Sequence, residues 1–204
     1  MIDVRPLMVW LVSGAVALGG PAAAQNLIEN PEFDTGSAGW QIQTGTLELV
    51  PDSGGCLLSQ AIEGASASTG SIQYFSFASE TCVTVDGSVV DRLEAGGMYR
   101  TEAGVWARLY LQLFTDAGCQ AHFGWSAVVA DGTAPAWERI SGPIALSPET
   151  RSVRLHVDNN PMAAGEPPFT VEWDRLYLGP VPELFLDGFE TEAGSTCRWS
   201  DRLD

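Results

Sequence analysis

No lysine occurs in the 204 residues, only two histidines do, and ten basic side chains stand against 26 acidic ones, for a formal net charge of −16. Phosphate backbones and anionic lipid surfaces repel a chain of that sign, which argues against nucleic-acid binding and membrane-surface docking. No C-x-x-C pair is present, and with His122 and His156 as the only imidazoles a zinc site has almost no ligands to draw on. Long apolar runs are missing too. The longest, residues 7–18, falls short of the roughly 20 residues a membrane span needs, so no membrane span is expected. No window holds helical periodicity, and no G-x-S-x-G elbow occurs.

What is present begins with an address. Arg5, the apolar run and Pro21-Ala-Ala-Ala before Gln25 read as a signal peptide over residues 1–24, with Ala22 and Ala24 at an A-x-A cleavage site. The mature chain is therefore expected to be exported to the periplasm, the cell surface or the medium. Its four cysteines, Cys56, Cys82, Cys119 and Cys197, are an even number in an oxidising compartment, so disulfides are expected, in one of three connectivities.

From Trp40 onward, short runs of β-branched, aromatic and aliphatic residues alternate with Gly, Pro, Asp and Ser. Strands are expected near residues 47–50, 71–77, 81–85, 105–114, 123–129, 136–140, 152–157 and 169–178. Loops are expected at residues 52–55, 64–70, 131–133 and 158–161. This spacing predicts an all-β fold, a two-sheet antiparallel jelly-roll sandwich over residues 25–180, with 181–204 as a C-terminal tail after Gly179-Pro-Val-Pro182.

Two strands carry more than the others. In residues 105–114, period two places Val105, Ala107, Leu109, Leu111 and Leu113 on one face, and Trp106, Arg108, Tyr110, Gln112 and Phe114 on the other. The aliphatic face is core, at roughly 1.5–3 kcal/mol per buried side chain. The second face mixes flat rings with Arg and Gln, as a glycan cleft does; it is equally a set that suits a strand covered by a loop. In residues 169–178 the apolar phase switches between Trp173 and Leu176, so a β-bulge is expected at Asp174-Arg175, turning Asp174 out to bind a cation or cap the backbone. His156, beside Arg154 and Asp158, reads as a surface residue, and His122 has no obvious partner.

Catalysis finds little support. Asp34-Thr35-Gly36 matches the aspartic-protease tripeptide, but that chemistry needs a second carboxylate sharing a proton and no second copy exists. Glu172-x-Asp174 offers two carboxylates on one strand, with Tyr177 and Leu178 where a third would be expected. The chain is read as not an enzyme.

The segment Asn26-Leu-Ile-Glu-Asn-Pro-Glu-Phe-Asp-Thr-Gly through Trp40 reads as a short apolar strand, an Asn-Pro turn and a Gly-rich turn before the next strand. That segment, Trp137-Glu-Arg-Ile-Ser-Gly-Pro143, Ser147-Pro-Glu-Thr-Arg-Ser-Val-Arg-Leu155 and Val171-Glu-Trp-Asp-Arg-Leu-Tyr-Leu178 together resemble carbohydrate-binding modules of families 4 and 9, jelly rolls close to galactose-binding-like domains. The resemblance spans most of residues 26–179. It implies a glycan or polysaccharide as partner, and Trp106 and Tyr110, with Arg108 and Gln112, are the residues of the mixed face expected to meet it. It also implies that the first and last strands lie side by side around a structural calcium, with Asp34 and Asp174 as carboxylate ligands and Glu32 as a weaker one. Similar exported domains pair cysteines placed like Cys82 and Cys119, which leaves Cys56 and Cys197 to pair or stay free. The tail resembles an Asp-Gly-Phe-Glu … Trp-Ser ending of exported Gram-negative proteins. An exported module that binds carbohydrate through aromatic residues is the function expected. An envelope or surface interaction protein of the same fold without a sugar site is the alternative.

Overall fold

The computed structural model describes residues 26–53, 60–69, 72–163 and 167–180. Among these residues the regular elements are all strands: β1 (Trp40–Thr44), β2 (Thr46–Pro51), β3 (Gln60–Ala65), β4 (Ala67–Thr69), β5 (Ile72–Ser79), β6 (Val83–Thr84), β7 (Arg92–Phe114), β8 (His122–Ala145), β9 (Ser152–Pro161) and β10 (Thr170–Gly179). No helix among the described residues is long and apolar enough to cross a membrane. The leader, the tail, Cys56 and Cys197 lie outside the described residues.

β7 and β8 form a hairpin long enough to serve both layers of a sandwich. Residues 94–100 of β7 pair with β10, whereas residues 105–114 pair with β9, and the register slips between Tyr99 and Val105 where the strand changes layer. One sheet therefore runs β8-β7-β10-β3-β2 and the other β8-β7-β9-β5-β1, every pairing antiparallel. The result is a two-sheet jelly roll. The first is called the β10 sheet below and the second the β9 sheet.

Several expected boundaries shift, each for a physical reason. Residues 123–129 and 136–140 belong to one continuous β8, because Gly132 adopts φ 115° and bends the strand between layers without ending it. The first half of β7 was hidden by its Gly96-Gly97 pair. The small-residue stretch 64–70, expected as a loop, holds the end of β3 and β4. Gly64 is small there because the Phe75 ring of the opposite layer covers it; a Cβ would lie 1.9 Å from that ring. Residues 158–161 complete β9 and do not form a loop.

The core is built as the alternation requires. Val105, Ala107, Leu109 and Leu111 of β7 are fully buried against Leu155 and Val157 of β9, Phe75 and Phe77 of β5, and Trp173 of β10. The bulge in β10 falls where the phase switch places it: the register shifts between Asp174 and Tyr177, and Arg175 takes φ 51°. Leu176 and Leu178 consequently point inward, as Val171 and Trp173 do before it.

The opening segment does meet the last strand, but residues 26–39 form bends and turns and no strand. Leu27 N donates to Leu178 O at 2.7 Å and Leu176 N to Pro31 O at 2.9 Å, with the Asn26 side chain bonding Leu176 O and Leu178 N. Asn30 ties the turn that follows: its Nδ2 donates to Gly36 O and Ala38 O, while its own carbonyl accepts from Trp40 Nε1 at 3.0 Å. Phe33 is thereby driven into the core against Trp40 and Phe77, at ring separations of 5.6 and 6.5 Å. Cys82 and Cys119 form a disulfide across 37 residues of chain. Closing a loop of that length stabilises the fold by about 4 kcal/mol on chain-entropy grounds.

Candidate functional site

The outer face of the β9 sheet is open. Because β7, β8, β9 and β5 are in register, Trp106, Arg108, Tyr110 and Gln112 stand beside Asn160, Asp158, His156 and Arg154 of β9 on one side. Trp125, Ala127 and Val129 of β8 stand on the other, facing Gln112, Tyr110 and Arg108. Tyr74 and Ser76 of β5 and Gln43 and Thr44 of β1 complete the surface. A cleft of about 540 Å³ runs between Tyr110, Trp125 and His156 on one flank and Tyr74, Gln43 and Thr44 on the other, with Asp158 in its floor.

All four residues singled out in β7 therefore share one accessible face, but their roles differ from one another. Trp106 has one ring face taken by Arg108, whose Cζ sits 4.9 Å from the ring centroid. Arg108 donates to Tyr110 Oη at 3.1 Å and pairs with Asp158 Oδ2 at 3.7 Å. Gln112 Oε1 accepts from His156 Nε2 at 3.0 Å. The prominent ring is one that sequence reasoning passed over: Trp125 is 49% exposed and stands edge-on to Tyr110 and His156, at 5.9 and 5.0 Å. Its signal was the alternation Phe123, Trp125, Ala127, Val129, which puts an aromatic on the face shared with Tyr110 once β7 and β8 are paired.

His156 corrects an expectation. It is half-buried in the cleft wall and not a free surface residue. Burial, then Arg154 and His122 nearby, hold its pKa down to about 4, so the ring is neutral at pH 7. His122, which lacked a partner in sequence, packs tilted against Trp125 at 5.0 Å and edge-on to Phe114 at 5.8 Å. Burial pushes the Asp158 carboxyl up, partly offset by the Tyr74 hydroxyl and Arg108. Tyr74 is raised in turn by burial and by Asp158. Oδ1 of Asp158 and Oδ1 of Asn160 are buried without a protein donor.

These shifts have opposite linkage signs. The folded state binds a proton on His156 more weakly than the unfolded chain, so its contribution is intact above about pH 6.5 and is lost as pH falls toward 4. Asp158, Asp174 and Glu32, all raised by burial, bind protons more tightly when folded and work the other way. A His156→Phe variant isolates the imidazole's contribution. The stability difference, wild type minus variant, should decline between pH 7 and pH 4 and level off below; a flat difference in pH-dependent denaturant melts would contradict the buried neutral ring.

No protein-family model and no curated protein matches the chain. Solved structures do. A family 11 carbohydrate-binding module from Clostridium thermocellum, in complex with a β-1,3-1,4-mixed-linked tetrasaccharide, aligns with a TM-score of 0.52 at 11% identity, over 78% of this chain and 98% of that one. The fold is that of a carbohydrate-binding module. The same sandwich recurs inside larger proteins. An α-L-arabinofuranosidase in its arabinose-bound form aligns with a TM-score of 0.52 at 20% identity over 76% of this chain. The enzymatically active domain of tailspike protein 4 of bacteriophage CBA120 gives 0.54 at 10% identity, also over 76%. This chain spans 26% and 21% of those two.

The residues expected to hold calcium lie where the opening segment meets β10. Asp174 is fully buried, and its Oδ2 and Oδ1 accept from Ser53 N at 2.9 Å and Arg175 N at 2.7 Å, so it caps the bulge. Asp34 is exposed and Glu32 half-buried. Glu32 is held above the usual carboxylate range by burial, then by Asp34, with Asp174 and Asp52 adding to the push and Arg175 opposing it. The four acids share one field. Among the described residues, however, no three His, Cys, Asp or Glu side chains form a ready metal cage.

Proposed function

We propose that this chain is an exported, non-catalytic module that binds a neutral carbohydrate on the outer face of its β9 sheet. The observation that carries the reading is the open cleft itself, where the Trp125 and Tyr110 rings stand beside a floor of hydrogen-bonding groups. Sugar rings offer apolar C–H faces to aromatics and hydroxyls to polar side chains, and both demands are met within one groove. Trp106, Arg108 and Gln112 support it: Arg108 links Trp106, Tyr110 and Asp158, and Gln112 holds His156. Asp158 lines the cleft and offers a carboxylate acceptor there to a ligand hydroxyl. Affinity for such an open site falls in the micromolar to millimolar range, about −8 to −4 kcal/mol.

A glycan array containing mixed-linked β-glucan and xylan oligosaccharides is the first test. Retention of neutral glycans, with no retention of nucleic acid, is expected; a blank array would return the chain to the reading of an interaction protein without a sugar site. The disulfide belongs to an oxidising compartment, consistent with export.

For the opening segment, we propose that calcium is held near Asp34, Asp174 and Glu32. The mutual repulsion among Glu32, Asp34, Asp52 and Asp174, met by Arg175, supports this: a hard divalent cation relieves it. Calcium at about 100 times its Kd would add about 2.7 kcal/mol, or some 5–10 °C in Tm, relative to chelator. An unchanged Tm would leave Asp174 with its capping role alone.

A further inference from the structure

We infer that the opposite face of the sandwich carries a second, separate carbohydrate-contact site, centred on Arg100, Glu172 and Trp137, so that the module is bivalent; this rests on the carbohydrate reading above. β7 crosses from one layer to the other, and in each layer it presents an outward arginine with the same two kinds of neighbour. In the β9 sheet, Arg108 lies over Trp106 and pairs with Asp158 of the adjoining strand. In the β10 sheet, Arg100 lies over Trp137 at 5.1 Å from the ring centroid and bonds Glu172 of the adjoining strand, Nε to Oε2 at 3.0 Å. The register makes the second set a row: Glu63 on β3 is opposite Glu172 on β10, and Glu172 is opposite Arg100.

Beside this row is a depression of about 280 Å³, lined by Glu63, Arg100, Thr101, Pro135, Thr170 and Glu172 with Glu102. It adjoins a second depression of about 470 Å³, floored by Pro161, Pro167, Pro168 and Phe169, since Glu102 and Thr170 line both. Together they form a trough lined by proline rings, hydroxyl and carboxylate acceptors and one guanidinium donor, and the Trp137 ring lies against that guanidinium. Arg100 keeps 40% of its side chain exposed, so its remaining N–H groups are open to ligand oxygens. Three glutamates against one arginine exclude uronate and sulfated chains. The ligand class is again a neutral glycan, engaged from the far side. Two sites facing away from each other cannot close on one short oligosaccharide; they join separate chains, and binding to a polymer then gains from effective concentration.

The test is calorimetric titration of the full chain with the oligosaccharides used as array probes, mixed-linked β-glucan tetrasaccharide and xylohexaose first. Two sites per chain are expected, falling to one in Trp125→Ala and to one, a different one, in Trp137→Ala. Glu63→Gln, which preserves side-chain shape, should weaken only the second site, by about tenfold, and covers the case in which Trp137→Ala does not fold. A single site that Trp125→Ala removes and that both Trp137→Ala and Glu63→Gln leave intact overturns this inference while sparing the first site. No binding of any array glycan overturns both.

Discussion

Replacing Trp125 with alanine is expected to weaken glycan binding at the β9-sheet cleft by about 10- to 30-fold, that is by roughly 1.4–2 kcal/mol, with no comparable loss of stability. The ring is 49% exposed and meets its neighbours edge-on, so its loss removes little core packing. It does remove the largest open apolar face of the cleft. Tyr110→Ala should be comparable in binding, but it also strips Arg108 of its hydroxyl acceptor and so loosens the Arg108–Asp158 pair. Trp106→Ala should cost less, because Arg108 already occupies one face of that ring. Affinities measured for the three variants against the strongest array glycan decide the order. A Trp106→Ala loss exceeding that of Trp125→Ala would move the stacking platform along β7.

The second large effect concerns the segment before the first strand. Phe33→Ala is expected to destabilise the domain by about 3–5 kcal/mol, read as a fall in the denaturant midpoint at unchanged slope. Phe33 is fully buried between Trp40 and Phe77, although it sits in a turn at φ 55°. The Asn30 hydrogen bonds and the pairing to β10 hold that strained turn in place. A loss below 1 kcal/mol would mean the segment is a detachable lead-in.

What the sequence made legible follows from what alternation can report. The inward phase of residues 105–114 and the slip at Asp174-Arg175 were readable because strand period two leaves no other way to bury those residues. The passage of β7 and β8 between layers was not readable. It depends on the slip between Tyr99 and Val105 in β7 and on Gly132 in β8, which in sequence looks like a turn and in the fold is a bend within an unbroken strand. The same limit explains the site. Trp106, Arg108, Tyr110 and Gln112 lie on one strand and announce their shared face by spacing alone. Trp125, His156, Asp158 and Tyr74 join them only through cross-strand register, which no local pattern encodes. Asp34 and Glu32 were set beside Asp174 by the family resemblance alone, and the Ser53 and Arg175 amides that cap the Asp174 carboxylate were not legible at all.

The most direct test of the central claim is to follow the indole N–H resonances of the full chain by NMR while titrating the strongest array glycan. Trp125 and Trp106 should shift progressively with ligand, whereas Trp40 and Trp173, whose indole N–H groups are bonded internally to Asn30 and Asn159, should stay put. Saturable binding that leaves the Trp125 and Trp106 signals unmoved would contradict a glycan site on the β9 sheet.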